Sequence, residues 1–155
     1  MLLQDILDEK VINLQVKGEN KKEVLEYMSR MLHKEGYITS VDSFVQDIYL
    51  RESEGPTGIG EGVAIPHGKC KAVRKIGIAI GVCETPVLWE SSVEDSGWQE
   101  TRIIFLFCVS DDDYGTEHLK LLAELAGKLG SSKVMKNVQA AASKKEIITA
   151  LLGEK

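Results

Sequence analysis

The pattern of apolar and polar residues in the first third of the chain predicts one strand and two helices. Residues Val11–Val16 alternate weakly and indicate an edge strand. Asn20 is placed to cap a helix that ends at Gly36, because apolar residues recur every three or four positions after it. A second helix is predicted to begin near Ser40 and to end near Arg51–Ser53.

The middle of the chain combines a glycine-rich loop with extended segments. Residues 54–62 are too rich in glycine for regular structure. Val63–His67 is predicted to be extended, because Pro66 disfavours the helical region for the residue before it. Ile76–Val82 alternates large and small residues, which indicates a strand with one bulky face and one face open to close approach. The apolar run Ile103–Val109 indicates a strand covered on both faces.

Three helices are predicted in the C-terminal part of the chain. Thr116 can cap the first, and Lys133–Ala142 forms the second. The capping box Ser143–Glu146 opens the third, which ends at Gly153. Since strands are interleaved with helices, we expect a three-layer α/β/α sandwich, with helices on both faces of a mixed sheet, in a single domain over residues 1–155.

Composition and charge exclude several classes of function. The formal net charge of −5 argues against a general nucleic-acid binder, because no basic stripe is available to neutralise phosphates. Cys70, Cys83 and Cys108 form no C-x-x-C pair and no disulfide framework, so we expect reduced thiols, two of them in strands. No secretory signal is visible, and no apolar stretch approaches the roughly 18 residues that span a bilayer. We expect a cytoplasmic protein without direct membrane insertion.

Two of the three histidines are candidates for chemistry. His33 lies near the end of the first predicted helix and is interpreted as a solvated residue that is well placed for the helix dipole. His67 follows a proline and precedes Gly68, which leaves the approach to the imidazole open. His118 falls in the first turn of the predicted Thr116 helix, where free amides favour an anion. The local sequence leaves open whether His67 and His118 are functional or only structural polar residues.

The glycine-rich loop before His67 matches no nucleotide-binding pattern. It opens no helix, as a dinucleotide fingerprint does, and it lacks the Gly-Lys-Ser/Thr of a phosphate-binding P-loop. The G-x-S-x-G motif of serine hydrolases is also absent from the sequence. A metal site remains an alternative, since Cys70 or an aspartate from Asp111–Asp113 can add a third ligand to His67 and His118.

The residues around His67 resemble the phosphohistidine signature of the fructose/mannitol-type IIA domains of the bacterial sugar phosphotransferase system. Glu52 is followed after six residues by Ile59-Gly60 and, two residues later, by Val63-Ala64-Ile65-Pro66-His67-Gly68. The segment Glu117–Ala126 is similar to the family's second histidine segment. The resemblance covers essentially the whole chain, and the order of the predicted elements agrees with it.

This resemblance implies a phosphoryl carrier. In such domains the histidine that matches His67 accepts phosphate, on the ring nitrogen farther from the backbone, from the phosphocarrier HPr. It passes the group to a cysteine of a IIB domain and so to a sugar entering through a membrane IIC component. Arg51 matches the family's active-site arginine and would balance the phosphoryl oxygens, with support from His118. No metal, nucleotide or other cofactor is implied. The residues expected to shape and support the phosphoryl loop, partly through backbone amides as oxyanion donors, are Thr57, Gly58, Gly60 and Gly68.

The motif leaves the biological role open. Sugar uptake, with fructose as the default substrate, is favoured over a nitrogen-type regulatory role in which the same phosphohistidine controls binding to partner proteins. An apolar rim around His67, with residues such as Ile59 and Val63, is expected to contact partners. The polar stretch Glu90–Trp98 is longer than a tight connection between strands and can alter the choice of partner.

Overall fold

The computed structural model describes residues 2–111 and 117–153 and shows helices packed on both faces of a sheet. Two short 3₁₀ turns precede the first strand. None of the helices in these two ranges is long and apolar enough to cross a membrane. In chain order the elements are β1 (Ile12–Val16), α1 (Lys21–Lys34), α2 (Val41–Glu52), β2 (Val63–Ala64), β3 (His67–Cys70), β4 (Gly77–Glu90), β5 (Trp98–Ser110), α3 (Glu117–Leu129), α4 (Ser132–Ala140) and α5 (Lys144–Leu152).

Strand β5 lies at the centre of the sheet. On one side β4 pairs with it in antiparallel orientation, and β1 follows, parallel to β4. On the other side β2 and β3 succeed each other along β5, both parallel to it, with Ala64 opposite Ile104 and His67 opposite Phe107. The mixed sheet and the edge position of β1 are therefore confirmed.

Side chains of β5 alternate between two hydrophobic cores, one on each face of the sheet. Ile104 and Leu106 belong to the core that is covered by α1 and α2. Phe105 and Phe107 belong to the core that is covered by α3, α4 and α5. Residues 103–109 are all buried, which confirms both the doubly covered strand and the three-layer α/β/α arrangement.

Helix boundaries follow the capping residues that the sequence predicts. The side chains of Asn20 and Ser40 each accept a hydrogen bond from the backbone amide three residues later, at the starts of α1 and α2. Ser143 caps α5 in the same way, and its hydroxyl also donates to the side chain of Glu146. Gly153 ends α5 in the left-handed region, with φ 73°. These predicted boundaries are confirmed.

Strand β4 is longer than the sequence pattern predicts. It continues beyond Val82 to Glu90, and its pairing with β5 shifts register around the exposed residues Glu84–Pro86. These exposed residues interrupt the alternation, which explains why the sequence indicates a strand only as far as Val82. The segment Glu90–Trp98 is the end of a hairpin rather than a loose connection, since Glu90 and Trp98 are themselves paired.

Smaller differences concern the C-terminal helices and the cysteines. Helix α4 covers Ser132–Ala140 rather than residues 133–142, because Ser131 caps it. Thr116, the predicted cap of α3, lies outside the described residues. The three cysteines are free, as predicted, but all three lie in strands rather than two of them.

Candidate functional site

His67 is the first residue of β3, and its backbone is tied to the central strand. It lies opposite Phe107 in the parallel pairing of β3 with β5. The Phe107 amide donates a hydrogen bond of 3.0 Å to the carbonyl of Pro66, and the proline ring restricts the backbone just before the histidine. The side chain of His67 remains half-buried. The fold therefore presents the imidazole from a rigid support.

The His67 ring has a buried Nδ1 and a lowered pKa. Nδ1 is buried and has no hydrogen-bond partner among the described residues. Nδ1 is therefore closed to a reacting group, which makes Nε2 the predicted reactive nitrogen. The pKa of His67 is lowered from 6.5 to about 4, chiefly because burial disfavours the charged form, and further because the charges of Arg51 and His118 act on it. At neutral pH the imidazole is uncharged and keeps a nucleophilic lone pair.

Arg51 and His118 approach this ring from helices on either face of the sheet. Arg51 lies in the last turn of α2, where Nη1 donates a hydrogen bond of 3.3 Å to the carbonyl of Gly55. His118 lies half-buried in the first turn of α3. Because both lower the pKa of His67 electrostatically, the structure brings the three predicted residues together. Their individual roles in phosphoryl transfer stay predictions.

Internal hydrogen bonds hold the glycine-rich loop. The Gly58 amide donates to the Glu90 carbonyl at 2.9 Å, and the Gly60 amide donates to Oε1 of Gln99 at 2.9 Å. Both amides thus donate within the protein, which agrees with the expected role of these glycines in shaping the loop; a contact between loop amides and a phosphoryl group stays a prediction. A Cβ on Gly58 would lie 2.6 Å from the Glu90 oxygen, and Gly60 has φ 83°, so both positions need glycine to build the loop.

Thr57 is buried and connects the glycine-rich loop to neighbouring elements by hydrogen bonds. Its hydroxyl donates to the Glu52 carboxylate at 2.7 Å and accepts from the Trp89 indole at 2.9 Å. Its carbonyl accepts a hydrogen bond of 3.0 Å from the amide of Ile65. Thr57 thus contacts the end of α2, β4 and the segment before His67, and its hydroxyl is fully engaged in holding them.

Gly68 packs directly against helix α2. A Cβ at this position would lie 2.7 Å from Cε1 of Phe44 and 3.1 Å from Cγ1 of Ile48. Whether Gly68 also keeps the approach to the imidazole open stays a prediction. Glycine is required here because β3 packs directly on the α2 side chains.

The expected apolar rim also needs correction. Val63 is fully buried in β2, and Ile59 is half-buried and packs against the core under α3, α4 and α5. Val63 cannot form a rim, because its side chain points into that core. Two exposed apolar side chains do adjoin site residues in sequence: Leu50 beside Arg51 and Leu119 beside His118.

Metal-ligand chemistry finds little support in the described part of the chain. Residues 2–111 and 117–153 contain no group of three or more His, Cys, Asp and Glu side chains that could hold a metal ion. Asp112 and Asp113, two of the aspartates considered as third ligands, lie outside the described residues.

Sequence reasoning missed two charged residues beside the site. Lys21, the first residue of α1, pairs with the carboxylates of Glu52 and Glu90. Asp47, on α2, accepts a hydrogen bond from the backbone amide of Lys69 in β3, and burial raises the pKa of Asp47. A charged residue on a helix is expected to be solvated, so the local pattern gives no signal for either contact.

The structure thus places an uncharged imidazole at the start of a strand of an α/β/α scaffold, near an arginine and a second histidine. The family model "Phosphoenolpyruvate-dependent sugar phosphotransferase system, EIIA 2" matches residues 5–153. The chain therefore belongs to the type 2 EIIA family of this phosphotransferase system.

Curated and solved relatives agree with this assignment. The fructose-specific EIIABC component of Bacillus subtilis (strain 168) is 30% identical over 148 residues, 96% of this chain. The chain spans only 20% and 22% of the length of the first two curated relatives it matches, which are EIIABC components.

Two solved structures share the fold over nearly their whole length. Nitrogen regulatory protein IIA-Ntr from Neisseria meningitidis has a TM-score of 0.83 and 29% identity, covering 96% of this chain and 98% of that one. Enzyme IIA of the Escherichia coli mannitol system, solved in complex with phosphorylated enzyme IIB, has a TM-score of 0.74 and 25% identity, with the same coverage.

Proposed function

We propose that this chain carries a phosphoryl group on Nε2 of His67 and passes it to a partner protein. The observation that carries the proposal is the state of the imidazole, whose Nδ1 is buried and whose pKa is lowered to about 4. A neutral ring whose Nδ1 is closed to a reacting group can act as a nucleophile through Nε2 at neutral pH. Membership in the EIIA family supports the same chemistry.

Transfer is a displacement at phosphorus. For this step the single proton of the neutral ring must lie on Nδ1, so that the lone pair of Nε2 can attack the phosphorus atom. The new N–P bond forms as the bond from phosphorus to the donor breaks, and the donor leaves with that electron pair. The Arg51 guanidinium balances the charge of the phosphoryl oxygens, and His118 supports them from the start of α3. In onward transfer Nε2 becomes the leaving atom.

Sugar uptake is the role we assign first. Here the chain accepts phosphate from phospho-HPr and donates it to a IIB domain, which serves a membrane IIC component, with a fructose-type sugar as substrate. The fructose-specific relative supports the substrate class, and the mannitol IIA–IIB complex supports the acceptor. The scheme requires no metal or organic cofactor, and it places a single domain, residues 1–155, in the cytoplasm.

A nitrogen-type regulatory role is the second candidate. The observation that favours it is the TM-score of 0.83 to the Neisseria IIA-Ntr structure, compared with 0.74 to the mannitol complex. In this role the same phosphohistidine governs binding to partner proteins instead of feeding a sugar. The two roles share their chemistry and differ in the fate of the phosphoryl group.

An intact-mass measurement tests the carrier chemistry. The purified chain is incubated with Enzyme I, HPr and phosphoenolpyruvate, beside the variants His67→Ala and His33→Ala. His33 is exposed at the end of α1 and serves as the matched control. We expect one acid-labile phosphoryl adduct on the wild type and on His33→Ala, and none on His67→Ala. An adduct that persists in His67→Ala contradicts the proposal.

The phosphorylated chain then separates the two roles. Loss of the adduct on mixing with a fructose-type IIB domain, with a matching gain on IIB, supports sugar uptake. An adduct that is stable towards IIB, together with phosphorylation-dependent binding to a transporter or kinase, supports regulation.

A further inference from the structure

Lys21 carries an enclosed charge between two helices and the β4–β5 hairpin. Its ammonium pairs with the carboxylates of Glu52 and Glu90, the second at 3.0 Å, while its side chain is only 11% exposed. The ring centroids of Trp89 and Tyr49 lie 4.7 Å and 5.6 Å from the same ammonium. Carboxylates and aromatic faces thus replace most of its water.

Glu52 connects this lysine to the loop before His67. One oxygen of its carboxylate contacts Lys21, and the other accepts the hydroxyl proton of Thr57 at 2.7 Å. The Trp89 indole donates to that hydroxyl at 2.9 Å. We call Lys21, Glu52, Thr57 and Trp89 the lysine network.

The lysine network contacts two segments of the candidate site, the end of α2 and the segment before His67. Glu52 directly follows Arg51 in the last turn of α2. The Thr57 carbonyl accepts a hydrogen bond of 3.0 Å from the amide of Ile65, two residues before His67. The network therefore joins the helix end that carries the arginine to the segment that carries the histidine.

The buried ion pair between Lys21 and Glu52 is not well explained by a gain in the stability of the fold. A buried ion pair gains little overall, because the desolvation of both charges offsets most of their attraction. A buried polar network whose members satisfy one another does hold a single geometry. Glu52 has a side chain only 5% exposed, so its carboxylate depends on its partners for that geometry.

We propose that Lys21 is a positioning residue for phosphoryl transfer. Through the lysine network it fixes the Arg51 guanidinium relative to the His67 imidazole. The inference rests on the proposed carrier function, but its first measurement, the pKa of His67, does not depend on that function. Burial of the ring and the charge of Arg51 keep the pKa of His67 low, so displacement of either group raises that pKa. The charge of Lys21 is not among the causes of this shift.

Two variants break the network in different ways. Lys21→Met removes the ammonium and leaves the Glu52 carboxylate without its cation. Thr57→Val removes the hydroxyl without changing any charge, and Thr57→Ser keeps a hydroxyl in place. Lys22→Met is the matched control, because Lys22 is exposed and adjacent in α1. For each folded variant, NMR titration measures the pKa of His67, and rapid quenching measures the rate of transfer from phospho-HPr.

We expect Lys21→Met and Thr57→Val to slow transfer by roughly a hundredfold, the loss that a small misplacement of reacting groups produces. Both should also raise the pKa of His67 towards 6.5. Lys22→Met should behave as the wild type, and Thr57→Ser, which keeps the hydroxyl, should recover most of the rate and of the low pKa that Thr57→Val loses. If Lys21→Met does not fold, Thr57→Val carries the comparison.

The proposal is overturned if Thr57→Val folds and keeps both the wild-type pKa of His67 and the wild-type rate of transfer. This holds even if Lys21→Met is impaired, because the impairment then results from the lost charge and not from a change in position. If the wild type accepts no phosphoryl group, the proposed function fails. The comparison of pKa values in that case still decides whether the network positions His67.

Discussion

Replacing Gly68 by alanine tests the close packing of β3 on α2. The added Cβ would lie 2.7 Å from Cε1 and 3.0 Å from Cδ1 of Phe44, and 3.1 Å from Cγ1 of Ile48. Favourable contacts between carbon atoms begin at about 3.5 Å, so the Phe44 ring would have to retreat by ~1 Å. Phe44 and Ile48 are fully buried, and such a retreat disturbs the core under α1 and α2.

The size of the effect is set by two opposing contributions. Overpacking of a close-packed core costs about 1–3 kcal/mol. Alanine also restricts the unfolded chain, which recovers about 0.4–1 kcal/mol. We therefore expect Gly68→Ala to lower the free energy of unfolding by about 1–2 kcal/mol in urea denaturation, and to lower Tm by about 2–8 °C.

Gly55→Ala is the matched control, because a Cβ at Gly55 meets no atom within 4 Å. This variant should keep or slightly raise stability. Phe44→Leu makes room for the new methyl group, so the double variant Gly68→Ala/Phe44→Leu should lose less than the sum of the two single losses. Wild-type stability of Gly68→Ala, or strictly additive losses in the double variant, would refute the packing argument.

Three further predictions concern the histidine, the arginine and helix α3. Because the folded chain holds the pKa of His67 at about 4, below the ordinary 6.5, the unfolded chain binds more protons between these values, and the free energy of unfolding rises with pH through that window. Urea denaturation across this pH range should show a weaker rise in His67→Gln. Arg51→Met should raise the pKa of His67 in an NMR titration and slow phosphoryl transfer roughly a hundredfold or more, whereas Arg51→Lys should leave that pKa low. Gly127→Ala should add up to about 1 kcal/mol in urea denaturation, because Gly127 lies within α3 and a Cβ there meets no atom within 4 Å.

The sequence predicts those features of the fold that depend on neighbouring residues. Asn20, Ser40 and Ser143 cap helices through an amide only three positions away, so their roles are visible in a short window. The unbroken apolar run Ile103–Val109 likewise predicts a strand with a core on each face. The positions of Arg51 and His118 beside His67 derive from the family resemblance rather than from local pattern.

Contacts between distant parts of the chain could not be predicted in this way. Lys21 begins a helix, where a lysine is ordinarily solvated, but Trp89 and Glu90, far along the chain, enclose it. Gly68 lies within β3, and the sequence does not show that the Phe44 ring occupies the place of its missing Cβ. The local pattern also does not show which groups accept hydrogen bonds from the amides of Gly58 and Gly60, because both acceptors lie on the distant β4–β5 hairpin.

The most direct test of the proposed chemistry asks which atom carries the phosphoryl group. The chain is labelled with ¹⁵N-histidine, phosphorylated with Enzyme I, HPr and phosphoenolpyruvate, and examined by NMR for coupling between phosphorus and each ring nitrogen. Because Nδ1 of His67 is buried, we predict coupling to Nε2 of His67 alone. Coupling to Nδ1 of His67, or to a nitrogen of His33 or His118, would contradict the proposal.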